Sequence, residues 1–263
     1  MRPAGTALAG FFIDKEDDME KNRPIVALDF KSKSNTQKFL DLFSDKTLNV
    51  KIGMELFYRA GPNFVKKIAD DGHEIFLDLK LYDIPNTVKH AMIQLSQLGV
   101  SMINVHASGG VEMMQAAKEG LMAGSKEGRG DTPSLIAVTQ LTSREDARNV
   151  YEQQLAVSQE ESILHLAKLT KTSGLDGVVC SPHESNKIKE TLGEEFQTVT
   201  PGIRFTQSTI QNDDQVRITT PREAAERRSD FIVVGRPITQ AKDPVESYRM
   251  ILNEWQKALK GVI

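Results

Sequence analysis

Asp78, Lys80 and Asp83 stand at the end of an apolar stretch, Glu74 to Thr87, in which Ile75, Leu77 and Leu79 recur at every second position. A period of two is the signature of a strand, so these three share one face while Asp78 and Lys80 share the other. That second face is not ordinary core, because a carboxylate and an ammonium are costly to bury unless paired. Asp83, three residues past Lys80, adds a second carboxylate where the strand turns. A salt bridge at a strand end would account for this segment taken alone. The functional reading is a lysine held by carboxylates.

Lys51, in another apolar run, brings a second ammonium. Alternating charges favour the charged form of each partner, so the lysines are expected to be protonated. A charged Lys80 can deliver a proton to carbon or steady a carbanion, and it is not a Schiff-base amine. An anionic Asp78 beside a substrate carboxylate opposes it in the ground state and loses that opposition as CO₂ departs. The array of Lys51, Asp78, Lys80 and Asp83 suits a decarboxylation that uses no cofactor.

These residues must be positioned by a regular scaffold. Eight short β-branched or apolar runs follow one another: Pro24 to Asp29, Leu48 to Gly53, Glu74 to Leu79, Ser101 to His106, Ser134 to Thr139, Gly177 to Ser181, Gln197 to Pro201 and Asp230 to Gly235. Their starts lie 20 to 43 residues apart, which is room for a strand, a loop and a crossover helix. Helix starts are expected at Ser34 or Asn35, Pro62, Asn86 and Ser158, and helix ends at Gly72, Gly99 and Gly174. A last helix covers Asp243 to Lys260. The pattern predicts an α/β protein with a (β/α)8 TIM barrel as a single domain, with a doubly wound open sheet as the alternative. Gly124 to Asp131 reads as a polar surface loop, and Glu145 to Glu161 as a mobile excursion after the fifth strand.

The 263 residues are ample for one large core. We expect the barrel over residues 20–263 and a disordered extension over residues 1–19, where a short apolar run is followed by acidic Asp14 to Asp18 rather than by a cleavage site. With 26% charged residues and a net charge of −3, the chain has neither a basic nucleic-acid surface nor the balance of a disordered acidic chain. No run approaches a membrane span. The single cysteine, Cys180, lies in an apolar run and excludes an internal disulfide, which fits a reducing cytoplasm.

In a barrel, chemistry gathers at the carboxyl ends of the strands. Asp29, Lys51, Asp78 with Lys80, Asn104 with His106, Thr142, Gly202 with Arg204, and Gly235 with Arg236 all fall there. Glycine lets a ligand approach the backbone and arginine offers a planar fork of donors, so the seventh and eighth strand ends are candidate phosphate sites, with Gln215 closing from the loop side. The five histidines show no HxH or HExxH spacing, so no metal is indicated. There is no GxGxxG, no P-loop and no nucleophile elbow.

Together, Asp78 to Thr87, Val50 to Phe57, Ile136 to Ser143, Val199 to Arg204 and Ile232 to Arg236 resemble the orotidine 5′-phosphate decarboxylases of the bacterial type, over essentially residues 22–259. The resemblance implies conversion of orotidine 5′-monophosphate to uridine 5′-monophosphate and CO₂, the last step of de novo UMP synthesis, in the cytoplasm and without a cofactor or metal. It implies Lys80 as proton donor to C6, Asp78 beside the departing carboxylate, and Lys51 and Asp29 on the ribose hydroxyls. Thr142 would contact the pyrimidine. Arg236, the Gly235 amide and Gln215 would take the phosphate, with Arg204 at the same end. The whole motif, including Leu79, Leu81, Tyr82, Ile84, Pro85, Asn86 and Thr87, is counted with the substrate-binding residues. Asp83 is implied to enter the partner's site in a homodimer.

Two other readings fit these residues less well. A metal-dependent sugar-phosphate lyase on the same barrel would carry an acidic ligand where Lys51 stands, and a lysine there repels Mg²⁺. A phosphoryl-ligand binding barrel without catalysis does not need the intact Lys51, Asp78, Lys80 and Asp83 set.

Overall fold

The eight apolar runs form eight parallel strands that close on themselves in sequence order, with β1 hydrogen-bonded to β8. The computed structural model describes residues 19–128, 131–142, 146–205 and 218–261. The strands are β1 (Ile25–Ala27), β2 (Asn49–Gly53), β3 (Glu74–Leu81), β4 (Met102–His106), β5 (Ser134–Val138), β6 (Gly177–Val179), β7 (Gln197–Thr200) and β8 (Phe231–Val234). The helices are α1 (Lys33–Asp41), α2 (Met54–Ala60), α3 (Pro62–Asp70), α4 (Pro85–Leu95), α5 (Gly110–Gly128), α6 (Asp146–Glu152), α7 (Gln159–Thr172), α8 (Pro182–Leu192), α9 (Pro221–Glu226), α10 (Arg236–Thr239) and α11 (Pro244–Leu259). The protein is a (β/α)8 barrel, and the open-sheet alternative is excluded by closure.

Strand alternation sorts the core into two compartments. Ile25, Ala27, Phe76, Met102, Ile136, Val199, Phe231 and Val233 fill the barrel interior. Their neighbours along the chain, among them Val26, Val50, Ile52, Ile75, Leu77, Ile103 and Ile232, pack outward against the helices. Met19 is buried among the interior residues, so the ordered barrel reaches one residue ahead of the expected boundary at 20. Residues 1–18 lie outside the described residues.

Local chemistry explains most of the helix ends. Ser158 caps α7 and Ser181 caps α8, each with a reciprocal glutamate three residues on. Helix α1 starts earlier than Ser34, because the Ser32 side chain accepts the Asn35 N–H. Pro85 opens α4 one residue before Asn86, as its missing N–H is no loss at a first turn.

Within the excursion expected after the fifth strand, Glu145 to Glu161, the described residues hold α6 over Asp146–Glu152 and the start of α7 at Gln159. Gly124 to Gly128, expected as a surface loop, is instead helical, since α5 runs to Gly128 with Gly124 and Ser125 buried. A Cβ at Gly120 would lie 2.2 Å from Lys89 O, and one at Gly124 would lie 2.3 Å from Ile93 O. These glycines let the backbones of α4 and α5 touch, which fixes the helix that follows the Asp78 to Asp83 segment.

Candidate active site

At the carboxyl ends of the strands lies a cavity of about 440 Å³. Asp29, Lys51, Asp78, Lys80, Thr142, Arg204, Gly235 and Arg236 all line it. These residues come from six separate strand ends. Alternation turns Lys51 inward in register with Ala27 and Phe76, and Asp78 inward two residues past Phe76.

The charged array is continuous. Lys51 Nζ lies 3.1 Å from Asp29 Oδ1 and 3.4 Å from Asp78 Oδ2. Lys80 Nζ donates to Asp78 Oδ1 at 2.6 Å, and Asn104 Nδ2 donates to the same oxygen at 2.7 Å. Burial by itself would push the Asp78 carboxyl up, but the Lys51 and Lys80 ammonium groups and the hydrogen bonds from Lys80 and Asn104 hold it below the usual carboxylate range. Burial likewise acts to lower Lys51, and the carboxylates of Asp78 and Asp29 outweigh it, leaving its ammonium above the usual lysine range. Asp78 is therefore an anion and Lys51 a cation at neutral pH. Gly53 leaves room for Lys51 and Asp29, since a Cβ there would sit 3.3 Å from Lys51 Nζ and 3.7 Å from Asp29 Oδ1.

Opposite the array, β7 ends in Pro201-Gly202-Ile203-Arg204. Gly202 has φ +88°, a conformation that favours glycine. It turns the chain so that Ile203 bridges to Thr219, while buried Arg204 donates to Ile203 O and lines the cavity. Arg236 follows Gly235 at the start of α10 on the neighbouring strand end. Gln215 lies outside the described residues.

The remainder of the predicted motif faces elsewhere. Leu79 is buried in the layer between sheet and helices, and Leu81 packs against that layer. Tyr82, Asp83, Ile84, Asn86 and Thr87 are exposed, and Pro85 is half-buried. None of these lines the cavity of its own chain. Asp83 Oδ1 accepts the Ile84 N–H. His106 is held below the usual imidazole range, first by burial and then by the Lys80 charge, with Asp78 opposing, and its ring lies beside Tyr82 rather than in the cavity.

Several lining residues were not singled out from sequence. Gln140 is buried, and its carboxamide bonds Asn149, Gln153 and Ser162, tying the Thr142 segment to α6 and α7. A glutamine directly after an apolar strand was the available signal. Gln240, at the end of α10, lines the mouth beside Arg236.

The fold and this mouth define a (β/α)8-barrel enzyme with a lysine and carboxylate array at the strand ends. Among the described residues no three metal-ligating side chains converge, and no helix is long and apolar enough to cross a membrane. The model of the "Orotidine 5′-phosphate decarboxylase / HUMPS family" matches residues 22–251, and the chain belongs to that family. It is 54% identical over 234 residues to the orotidine 5′-phosphate decarboxylase of Listeria monocytogenes serovar 1/2a, covering 89% of this chain and 99% of that one. It is 53% identical over 240 residues to the enzyme of that name from Lactococcus lactis subsp. cremoris, covering 91% and 100%. The crystal structure of orotidine 5′-phosphate decarboxylase from Lactobacillus acidophilus matches with a TM-score of 0.78 at 44% identity, over 89% of this chain and 98% of that one.

Proposed function

We propose that this enzyme decarboxylates orotidine 5′-monophosphate to uridine 5′-monophosphate, with Lys80 as the acid. The observation that carries this reading is one cavity lined both by the Asp29, Lys51, Asp78 and Lys80 array and by Arg204 and Arg236 from the ends of β7 and β8. A nucleoside monophosphate calls for both, with a reacting pyrimidine and a phosphate on one molecule.

The C6–carboxylate bond breaks so that its electron pair stays on C6, in the plane of the ring, where the π system cannot spread it. CO₂ leaves from beside Asp78, whose anionic form repels the substrate carboxylate and not the neutral product. The Lys80 ammonium faces the charge as it develops and then transfers a proton to C6, ending as a neutral amine that solvent reprotonates. Because the donors are already in place, stabilising the carbanion needs little reorganisation. Lys51 and Asp29 hold the ribose hydroxyls, Thr142 meets the pyrimidine, and Arg236 with the Gly235 amide, Gln215 and Arg204 grips the phosphate. The exposed Asp83, flanked by exposed Tyr82 and Ile84, serves the second subunit of a homodimer. No cofactor is required, and the reaction takes place in the cytoplasm.

The test is loss of orotidylate absorbance with a chelator present. Wild type should turn over, and Lys80→Ala should lose at least about 10⁴-fold in kcat, the upper range for a general acid, while still binding UMP. Near-normal turnover of Lys80→Ala sinks the assignment of the acid.

A further inference from the structure

Asn104 lies on β4, inside the barrel mouth, and is fully buried. Its carboxamide is engaged on both sides. Nδ2 donates to Asp78 Oδ1 at 2.7 Å, and Oδ1 accepts the backbone N–H of Lys80 at 2.7 Å.

The second bond sits at an irregularity in the sheet. Pairing of β3 with β4 is regular at Phe76↔Met102 and Leu77↔Ile103 and resumes at Leu81↔Val105. From Leu77 to Leu81 is four residues and from Ile103 to Val105 is two, so β3 carries two extra residues at this point. Lys80 lies in that bulge with φ +52°, a left-handed conformation that a residue with a side chain seldom adopts and that costs on the order of 1 kcal/mol or more. The bulge withdraws the ladder partner of the Lys80 N–H, and the Asn104 oxygen replaces it. Among residues of this length, only asparagine places a neutral acceptor and a neutral donor on one short planar group. Aspartate lacks the donor and adds a charge, and leucine lacks both.

The bond to Asp78 has its own consequence. Oδ1 takes both Asn104 Nδ2 and Lys80 Nζ, and Oδ2 faces Lys51 at 3.4 Å. The carboxylate is thereby fixed in rotation by three donors from three strands. A reacting pair displaced by about 1 Å can lose about 10²-fold in rate, so a group that sets both the Asp78 plane and the Lys80 backbone acts on both partners at once.

We propose that Asn104 is a positioning residue for the reaction: its carboxamide holds the Asp78 carboxylate against the departing CO₂ and fixes Lys80 in the left-handed conformation that aims its ammonium at C6. This rests on the roles given above to Asp78 and Lys80.

The experiment compares Asn104→Leu and Asn104→Asp with wild type for kcat and KM on orotidine 5′-monophosphate, with UMP affinity measured to count competent sites. Asn104→Leu should lose about 10²–10³-fold in kcat per UMP-binding site while its UMP Kd stays within about threefold. Asn104→Asp keeps an acceptor for the Lys80 N–H but sets a second carboxylate against Asp78. The charged or titratable groups around it are Asp78 and Lys80 on β3, Lys51 on β2, Asp29 after β1 and His106 on its own strand. Because two adjacent carboxylates share a proton, kcat per site of Asn104→Asp should rise as pH falls from about 8 to 5, when the protonated aspartic acid can donate to Asp78 as the amide does. A kcat per site within threefold of wild type for Asn104→Leu overturns the proposal. So does an Asn104→Asp profile parallel to wild type, which also decides the matter if the leucine variant fails to fold. A Lys80→Ala protein that keeps turnover would instead strike the underlying assignment of the acid.

Discussion

Lys80 Nζ lies 2.6 Å from Asp78 Oδ1, two residues back along the same strand. This contact of the charged array ties the proposed acid to the group proposed to lie beside the leaving CO₂. It gives Asp78 a pH signature. The folded enzyme holds the Asp78 carboxyl below its ordinary range, so it contributes stability that is fully present above the unfolded value of about 3.9 and lost as pH falls through the folded one. Lys51 is raised, so its contribution is full below the unfolded value of about 10.4 and is lost as pH rises through the folded one. Asp78→Asn should therefore be less stable than wild type by about 1–3 kcal/mol, the range for a charged hydrogen bond, with the gap constant from pH 7 to 5 and closing below about pH 4. Urea midpoints across that range check it, and a gap that widens in acid contradicts it.

Arg236 should separate phosphate binding from chemistry. It follows Gly235 at the eighth strand end and lines the cavity away from Lys80. Arg236→Ala should lower kcat/KM on orotidine 5′-monophosphate by about 10–10²-fold, as expected for about 1.5–3 kcal/mol of charged hydrogen bonding. The phosphate-free nucleoside should be almost unaffected, having nothing for the guanidinium to grip. Equal losses on both substrates would make Arg236 structural.

At Gly120 two effects oppose each other. Alanine in a helix interior is favoured over glycine by about 1 kcal/mol, yet here its Cβ would lie 2.2 Å from Lys89 O on α4. Backbone cannot move aside as a side-chain tip can, and overpacking costs about 1–3 kcal/mol. Gly120→Ala should thus destabilise the enzyme, by up to about 2 kcal/mol, in denaturant melts. A stabilised variant would mean that α4 and α5 are not held at this separation.

The barrel was readable because each strand is a short apolar run, and the site because polar residues that end those runs have nowhere to go but the mouth. Asp29, Lys51, Asp78, Lys80, Thr142, Arg204, Gly235 and Arg236 were found in this way. What period-two reasoning could not supply was the bulge. Strict alternation placed Lys80 on a regular face, whereas two inserted residues and a positive φ set its direction, and the partner that fixes it, Asn104, is 24 residues away. Gly124 to Gly128 differs from its loop reading for a related reason: glycine and serine signal loops locally, but the α4 backbone at Ile93 leaves no room for a Cβ at Gly124. The Gln140, Asn149, Gln153 and Ser162 cluster also depends on side chains that meet only in the fold.

Asp83 does not line the strand-end cavity of its own chain, and its carboxylate accepts the Ile84 N–H, while Tyr82 and Ile84 on either side are 63% and 65% exposed. Large apolar side chains exposed around a carboxylate, just past the strand that carries Lys80, suit a two-fold interface in which each Asp83 reaches the partner's site. Lys80→Ala and Asp83→Ala should each be nearly inactive as homodimers. If equal amounts are unfolded together and refolded, half of the dimers should be mixed. Each mixed dimer holds one site with both defects and one with neither, so activity should return to roughly a quarter of wild type by random symmetric pairing. If mixed dimers are shown to form and activity stays at the level of the parents, Asp83 acts within its own chain and the site is not shared.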